Sequence, residues 1–304
     1  MPIFAGLVLG YIAGLRKTVD NRNVRSLITF LMTFTLPCSL FVAIALTPRE
    51  ALWRQTRSAI ALATVYLVIY VATYFASKYV GRDSAPNSAV LALTIAFPNA
   101  AAVGIPLLVA VYGPGASVGV AVAIAIGAVT ITPITLAILE NANPKAKAHE
   151  SALLTSLWRA LKKPVFWAPM LGVLAAVASF QMPPYLNRSL TILGGATEGT
   201  ALFVTGLIAS AQRFRMDWGV GWAVAGKGIL QPALCLAIAL LLNTPIEETR
   251  RVVLLAAIPC GFFGILFGEG FEVASELASS TLIASTISCV FTLTGWIVLL
   301  GRLR

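Results

Sequence analysis

Long runs of apolar residues, separated by short polar connections, constrain this chain more than any other feature. Ten runs predict helices at about 2–15, 24–46, 58–80, 86–111, 116–140, 164–180, 189–211, 218–242, 250–268 and 275–301. Most approach the roughly 20 residues that a helix needs to cross a bilayer. The chain is 58% hydrophobic and only 11% charged, whereas soluble domains carry about 25% charged residues. We therefore predict an all-α polytopic membrane protein with ten spans, surrounded by lipid.

Basic residues concentrate on alternate connections, and this bias orients the predicted spans. Thirteen lysines and arginines fall on the side of the first, third, fifth, seventh and ninth connections, against eight on the other side. Because positive residues collect in cytoplasmic loops, we predict that the first side is cytoplasmic. Both termini would then lie outside the cytoplasm, with the chain in the inner membrane. The net charge of +10 thus needs no nucleic-acid partner to explain it.

The two halves of the chain resemble each other at an offset of about 162 residues, since residues 39–42 read SLFV and residues 201–204 read ALFV. Pro98 in the fourth run also has a counterpart in Pro259 of the ninth. An odd number of spans in each half inverts the second copy, as in many secondary transporters. The predicted domains are a first five-helix repeat over 1–140, a cytoplasmic linker over 141–163 and an inverted second repeat over 164–304.

Proline and glycine at mid-span depth predict that the fourth and ninth helices are broken. Residues 97–106 read FPNAAAVGIP, and residues 258–264 read IPCGFFG. Proline removes a backbone donor, and lipid tolerates such breaks only where the freed groups line a cavity or are buried in protein. A helix that restarts at mid-depth also presents an N-terminus that attracts anions. Two crossing breaks would face one carboxylated substrate. The alternative is that the breaks are ordinary proline kinks, like those expected at Pro37 and Pro232.

Two ionisable residues fall well inside predicted spans, Glu198 in the seventh and Lys227 in the eighth. Such residues are costly in a membrane and are functional candidates by default. One hypothesis is that Lys227 offsets the charge of the substrate or stabilises the crossing. The alternatives are that Lys227 forms a structural ion pair or that its side chain reaches toward a membrane interface. Glu198 is either a proton-coupling carboxylate or a residue near the membrane surface. No histidine or cysteine pair has metal-ligand spacing, so no metal or resident cofactor is predicted, while coupling to protons or sodium is left open.

The stretch from Pro98 to Pro106, continuing through Tyr112, resembles the crossover motif of the auxin efflux carrier family. Residues 162–164 (KKP), 201–206 (ALFVTG) and 261–268 (GFFGILFG) also match, so the resemblance covers nearly the whole chain. Within the family, the sequence is most similar to bacterial malonate carriers associated with malonate decarboxylase genes. The first span starts about nine residues late relative to such carriers; either the native start lies upstream of Met1 or the first helix is short.

The resemblance implies ten helices in two inverted five-helix repeats, with broken helices four and nine crossing. It implies a scaffold of helices 1, 2, 6 and 7 and a transport domain of helices 3–5 and 8–10, like bile-acid symporters and sodium–proton antiporters. The transport domain would move as an elevator. We place Pro98, Pro106 and Pro259 at the crossover. The predicted substrate-binding residues are Asn99, Pro98, Ala100, Ser39, Thr200, Cys260, Gly261 and Phe262.

These features together predict a secondary active transporter for a small carboxylate, with malonate or a similar dicarboxylate as the leading candidate. One alternative is an exporter of a hydrophobic weak acid, as in the auxin-exporting branch, and another is a channel or sensor. An intramembrane enzyme is disfavoured because the spans hold no Ser/His, paired-Asp or metal constellation. The direction of transport and the oligomeric state, including a homodimer, are left open by the sequence.

Overall fold

A computed structural model describes residues 2–21, 24–113, 116–142, 164–211, 214 and 216–302. Within these ranges every regular element is a helix, which confirms the predicted all-α class. The predicted linker over 141–163 lies almost entirely outside the described residues. The helices are α1 (Pro2–Leu15), α2 (Arg25–Ala45), α3 (Arg49–Arg54), α4 (Thr56–Val80), α5 (Ala85–Ala96), α6 (Ile105–Tyr112), α7 (Ser117–Val129), α8 (Ile131–Ala142), α9 (Pro164–Val177), α10 (Pro184–Ala211), α11 (Trp218–Leu241), α12 (Ile246–Ala257), α13 (Phe263–Gly270) and α14 (Glu276–Gly301).

Six helical segments of the described chain are long and apolar enough to cross a membrane. They are α2, α4, the Val118–Ala142 segment formed by α7 and α8, α10, α11 and α14. Shorter apolar helices lie in α1, α5 and α9. Large apolar side chains such as Phe34, Trp222 and Phe291 are more than half exposed. So many exposed apolar side chains suit contact with lipid better than contact with water, and the molecule is a multi-pass membrane protein.

Three widened helical turns each end two residues before a proline. The π-helical turns Leu31–Thr35 and Gly226–Leu230 lie inside α2 and α11, and the turn Ala100–Gly104 leads into α6. Proline lacks an N–H, and its ring crowds the turn that precedes it. A π-helical turn adds one residue at that point, which relieves the clash while the helix continues. Pro37 and Pro232 are thus accommodated inside continuous spans.

Glycines bring α1 and α10 into close contact. A Cβ added at Gly10 would overlap the carbonyl oxygen of Phe203, and one added at Gly206 would overlap the carbonyl oxygen of Leu7. Helices in a bilayer associate through van der Waals packing, and small residues let their backbones approach closely. These glycines therefore hold α1 against α10, and α2 packs on both α9 and α10 beside them.

A second group of helices packs around α5, α12 and α13. In this group α5 contacts α4, α8 and α13, while α11 contacts α4 and α12. Gly264 of α13 lies so close to α5 that a Cβ there would overlap the hydroxyl of Thr94. Because α5, α6, α12 and α13 come from the fourth and ninth predicted spans, this group contains both spans that were predicted to be broken.

Polar contacts at one end of the molecule join the starts of α4 and α12 to the last turn of α14. The Ser58 hydroxyl donates to a carboxylate oxygen of Glu248 at 2.9 Å. The Arg250 Nε donates to the carbonyl oxygen of Leu300 at 3.2 Å. We call this the Arg250 end.

A different set of polar contacts joins the segments around the starts of α2 and α14. Arg25 lies 3.9 Å from a carboxylate oxygen of Glu272. The Asn21 side-chain amide donates to the hydroxyl of Ser210, near the end of α10, at 2.9 Å. We call this the Arg25 end. Because α14 runs unbroken between the two sets of contacts, they lie at opposite ends of the molecule.

Replacement of Gly206 by alanine is expected to destabilise the protein by about 1–3 kcal/mol, since the added methyl group overpacks the α1–α10 contact. The matched control is Gly195→Ala in the same helix, where an added Cβ meets no atom within 4 Å. The control should leave stability unchanged or raise it slightly, because alanine favours helix over glycine. Thermal unfolding of both variants in detergent measures the difference; equal melting temperatures would contradict the packing described for α1 and α10.

Candidate functional site

The fourth predicted span breaks between α5 and α6. Phe97 has extended backbone angles (φ −95°, ψ 100°) at the end of α5, and Pro98 supplies no N–H for the helix. The carbonyl oxygen of Thr94, which a residue at position 98 would normally bond, instead accepts the N–H of Gly261 at 3.0 Å. The N–H of Asn99 also leaves the helix and donates to the carbonyl oxygen of Pro259 at 3.1 Å. The backbone of the first break is therefore bonded to the ninth span.

The ninth predicted span breaks between α12 and α13, directly against the first break. Pro98 and Cys260 form an isolated antiparallel bridge. A Cβ at Gly261 would overlap the carbonyl oxygen of Phe97, so glycine is needed for this close approach. The N–H of Cys260 donates to the hydroxyl of Ser285 on α14 at 3.2 Å. The two breaks thus satisfy each other's backbone groups, with help from α14.

Two side chains of α11 bond the carbonyl groups at the ends of α5 and α12. The Gln231 side-chain amide donates to the carbonyl oxygen of Ala96 at 3.0 Å. The Lys227 ammonium donates to the carbonyl oxygen of Ala256 at 3.1 Å and to the side-chain oxygen of Gln231, also at 3.1 Å. Lys227 and Gln231 lie four residues apart on one face of α11. We call them the Lys227–Gln231 pair.

The helix breaks explain why these two carbonyl groups need outside donors. In a continuous helix they would accept the N–H groups of Ala100 and Cys260. The N–H of Ala100 turns back to the carbonyl oxygen of Pro98 at 2.7 Å, while that of Cys260 bonds Ser285. A positive charge at the C-terminal end of α12 is also favoured by the helix dipole. The contacts of Lys227 therefore favour its role in stabilising the crossing.

Asn99 supplies a polar group without a partner at the first break. Its side chain is only 4% exposed, and its amide oxygen accepts no hydrogen bond from the described residues. Aromatic rings lie close by along the chain: Phe97 stacks on Phe263 with ring centroids 4.8 Å apart, and Phe262 lies 4.7 Å from Phe263. An unpaired polar atom is costly in such surroundings, so Asn99 marks a position where a ligand could complete the hydrogen bonding.

Ser39 and Thr200 lie on α2 and α10, outside the group of helices that contains the breaks. Both are half-buried, and no hydrogen bond within the described residues joins either side chain to the breaks. The backbone of Ser39 is approached closely by Gly194, where an added Cβ would lie 2.8 Å from the Ser39 Cα. Glu198 belongs to α10 and Pro106 to α6, but both side chains lie outside what the structure describes.

The residues at the breaks are closed off from solvent in this conformation. Ala100, Cys260 and Phe262 are as fully buried as Asn99. A pocket of about 850 Å³ lies beside α3 and the end of α9, and one of about 290 Å³ lies at the Arg25 end. Neither is lined by residues of the breaks. The described side chains at the breaks are therefore shielded from solvent in this conformation.

An all-helical chain with several membrane-spanning helices, two of whose spans break and meet inside the protein, has the form of a multi-pass membrane transporter. The model of a family described as membrane transport protein matches residues 1–297. The chain belongs to this family, which includes the auxin efflux carriers, as its crossover motif predicts. Membership of this family also confirms that the protein is a transporter rather than an enzyme.

Three relatives illustrate the range of the family. "Uncharacterized transporter YfdV" of Escherichia coli (strain K12) is 30% identical over 98% of this chain and 95% of its own length. "Putative malonate transporter" of Rhizobium meliloti (strain 1021) is 25% identical over 99% of this chain and 94% of its own length. "Auxin efflux carrier component 2" of Arabidopsis thaliana is 25% identical over 52% of this chain and 26% of its own length.

Replacement of Gln231 by leucine is expected to lower stability by about 1–3 kcal/mol, because it leaves the Ala96 carbonyl buried without a donor. It also removes one acceptor of the Lys227 ammonium. The matched control is Gln181→Leu, since Gln181 is exposed beyond the end of α9. Chemical unfolding in detergent compares the two variants. Equal stability of the two would contradict the structural role of the Lys227–Gln231 pair.

Proposed function

We propose that this protein is a secondary active transporter that moves a small carboxylate, malonate or a similar dicarboxylate, across the inner membrane. The observation that carries the proposal is the meeting of two helix breaks beside the buried side chain of Asn99. The relative named as a malonate transporter, which aligns over almost the full length of both chains, supports malonate in particular.

The chemistry of the breaks suits an anion. The turn leading into α6 and the first turn of α13 each present backbone N–H groups and the positive end of a helix dipole. The Asn99 side-chain NH₂ group can donate a further hydrogen bond to a carboxylate oxygen, whereas the unpaired amide oxygen accepts only from a donor such as a hydroxyl or a protonated carboxyl group. In this proposal the substrate contacts Asn99 and the backbone of Pro98, Ala100, Cys260, Gly261 and Phe262. Hydroxyl groups of Ser39 and Thr200 complete the site when the two groups of helices change their relative position.

The packing of the helices supports an elevator with two inverted repeats. In this proposal α1, α2, α9 and α10 form the scaffold, and the remaining spans form the transport domain. Contacts of α1 with α10 and of α2 with α9 lie within the first group, whereas the breaks and the hydrogen-bond partners found for them among the described residues lie within the second. A transport domain that keeps its own hydrogen bonds can slide as a unit, and burial of Asn99 makes some such movement necessary.

The contacts at the two ends of the molecule support the proposed orientation. Arg25, Ser210 and Glu272 meet at the Arg25 end and belong to segments that the charge bias assigns to the cytoplasmic side. Ser58, Arg250 and Leu300 belong to the opposite end. We therefore propose that the Arg25 end faces the cytoplasm and that both termini lie outside it.

Coupling of transport to an ion gradient is a further part of the proposal. Glu198, inside α10, would carry the coupled proton on its carboxylate. Lys227, which bonds the carbonyl oxygen of Ala256 near the end of α12, would compensate the negative charge of the substrate. Sodium is the alternative coupling ion. Assembly as a homodimer would use the exposed apolar surface, which is otherwise covered by lipid.

An aromatic weak acid is the second candidate substrate. The stacked rings of Phe97 and Phe263 lie beside the breaks, and part of the chain aligns with auxin efflux carriers. A ring attached to the carboxylate would pack against these side chains, as aromatic pairs favour. Competition between malonate and indole-3-acetate separates the two candidates.

Purified protein in sealed vesicles is expected to accumulate labelled malonate when a proton or sodium gradient is imposed. Replacement of Asn99 by alanine should raise the KM for malonate about tenfold or more, because a hydrogen bond to a charged group is worth roughly 1.5–3 kcal/mol. The control is Asn87→Ala, near the start of α5 and away from the breaks, which should transport normally.

Absence of uptake in every gradient, together with no competition by any dicarboxylate, would overturn the proposed substrate class. Uptake of indole-3-acetate that malonate does not inhibit would favour the aromatic weak acid. A normal KM for malonate in Asn99→Ala would indicate that the substrate does not bind at the breaks.

A further inference from the structure

An arginine at the Arg250 end has donor groups that no residue of the described chain uses. Arg251 lies on α12, with its guanidinium 5.7 Å from the centre of the Tyr112 ring. Its Nε is buried and bonds no acceptor within the described residues. The side chain is held by stacking on an aromatic face, whereas a buried guanidinium donor is ordinarily matched to a carboxylate or carbonyl oxygen.

The neighbouring charged residues are already engaged with other partners. Arg250, next in the chain, lies 2.7 Å from a carboxylate oxygen of Glu247 and also bonds the carbonyl of Leu300. A carboxylate oxygen of Glu248 accepts the hydroxyl of Ser58. Within the described residues no acidic side chain lies at ion-pair distance from Arg251. Because Arg250 already has acceptors and the Nε of Arg251 has none among the described residues, Arg251 is the arginine of the two that can bind an anion.

The position of this arginine relates it to the breaks. Arg251 lies six residues before the end of α12, which is about 9 Å along the helix axis, and α12 leads directly into the second break. Tyr112 is the last residue of α6, the helix that leads out of the first break. Arg251 on α12 and Tyr112 on α6 therefore belong to the two helices that connect the breaks to the Arg250 end of the molecule.

We propose that Arg251 and Tyr112 form a second carboxylate-binding site, which holds an organic anion at the Arg250 end before it reaches the breaks. The Nε–H and one Nη–H of a guanidinium form an edge that matches the two oxygens of a carboxylate. The contact with the Tyr112 ring restricts the guanidinium, so less side-chain freedom is lost when the anion binds. The role of the site in transport rests on the proposed function, but its ability to bind a carboxylate does not.

Chemical modification tests binding independently of transport. Purified full-length protein in lipid vesicles is treated with phenylglyoxal, which reacts with guanidinium groups, and modification of each arginine is measured by mass spectrometry. Malonate and acetate should slow modification of Arg251 at least threefold relative to chloride at equal ionic strength, while Arg302, exposed after α14, shows no protection. Protection should persist in Asn99→Ala. Equal rates in carboxylate and chloride would overturn the proposed site.

Transport kinetics test the role of the site in substrate capture. Arg251→Gln should raise the KM for malonate about tenfold, from loss of the charged hydrogen bonds, with the maximal rate within twofold of the original protein. Arg251→Lys should show most of the same loss, since an ammonium lacks the planar fork, while Arg302→Gln should behave normally. An unchanged KM in Arg251→Gln would contradict the capture role.

The two experiments separate this inference from the proposed function. If the original protein takes up no malonate but carboxylates still protect Arg251, the proposed substrate is wrong and the second site stands. If malonate is taken up and Arg251 is not protected, the second site is wrong and the proposed function stands.

Discussion

Within a bilayer, every backbone N–H and C=O must find a partner inside the protein, and the two helix breaks are where this requirement is hardest to meet. Each break meets it largely through the other. The carbonyl of Thr94 accepts from Gly261, and the N–H of Asn99 donates to Pro259. The carbonyl groups that remain are bonded by the Lys227–Gln231 pair. The interruption of one span is thus possible only because the other span is interrupted at the same place.

The hydrogen bonds between the two breaks also restrict how the surrounding helices can move. A relative movement of α5, α11 or α12 would expose several buried polar groups at once, and each exposed group would cost about 1–3 kcal/mol. These hydrogen bonds therefore oppose relative movement of the helices around the breaks. The contact of α1 with α10 is of a different kind, since it depends on glycines and close van der Waals packing. The helices around the breaks and the α1–α10 pair are therefore held together by different kinds of contact.

Local sequence was sufficient to predict most of the apolar helices and the places where two spans break, but not the short helix α3 or the division between α7 and α8. Apolar runs of spanning length locate the helices, and Pro98 and Pro259 locate the breaks, because proline acts on its own turn. The partners of the breaks were harder to predict. Gln231 was recognisable in principle from its spacing of four residues after Lys227, but the role of Ser285 depends on how α14 packs, which no local pattern encodes. Arg251 was counted only as a loop charge, although its contact with Tyr112 distinguishes it from Arg250.

The central claim is that the meeting of the two breaks creates the carboxylate site. Electron cryo-microscopy of the protein in lipid, with saturating malonate, tests this claim most directly. We expect a carboxylate within hydrogen-bonding distance, about 3 Å, of the Asn99 side chain and of backbone N–H groups at the start of α6 or α13. Malonate bound elsewhere, with the surroundings of Asn99 unchanged and closed in every conformation observed, would contradict it.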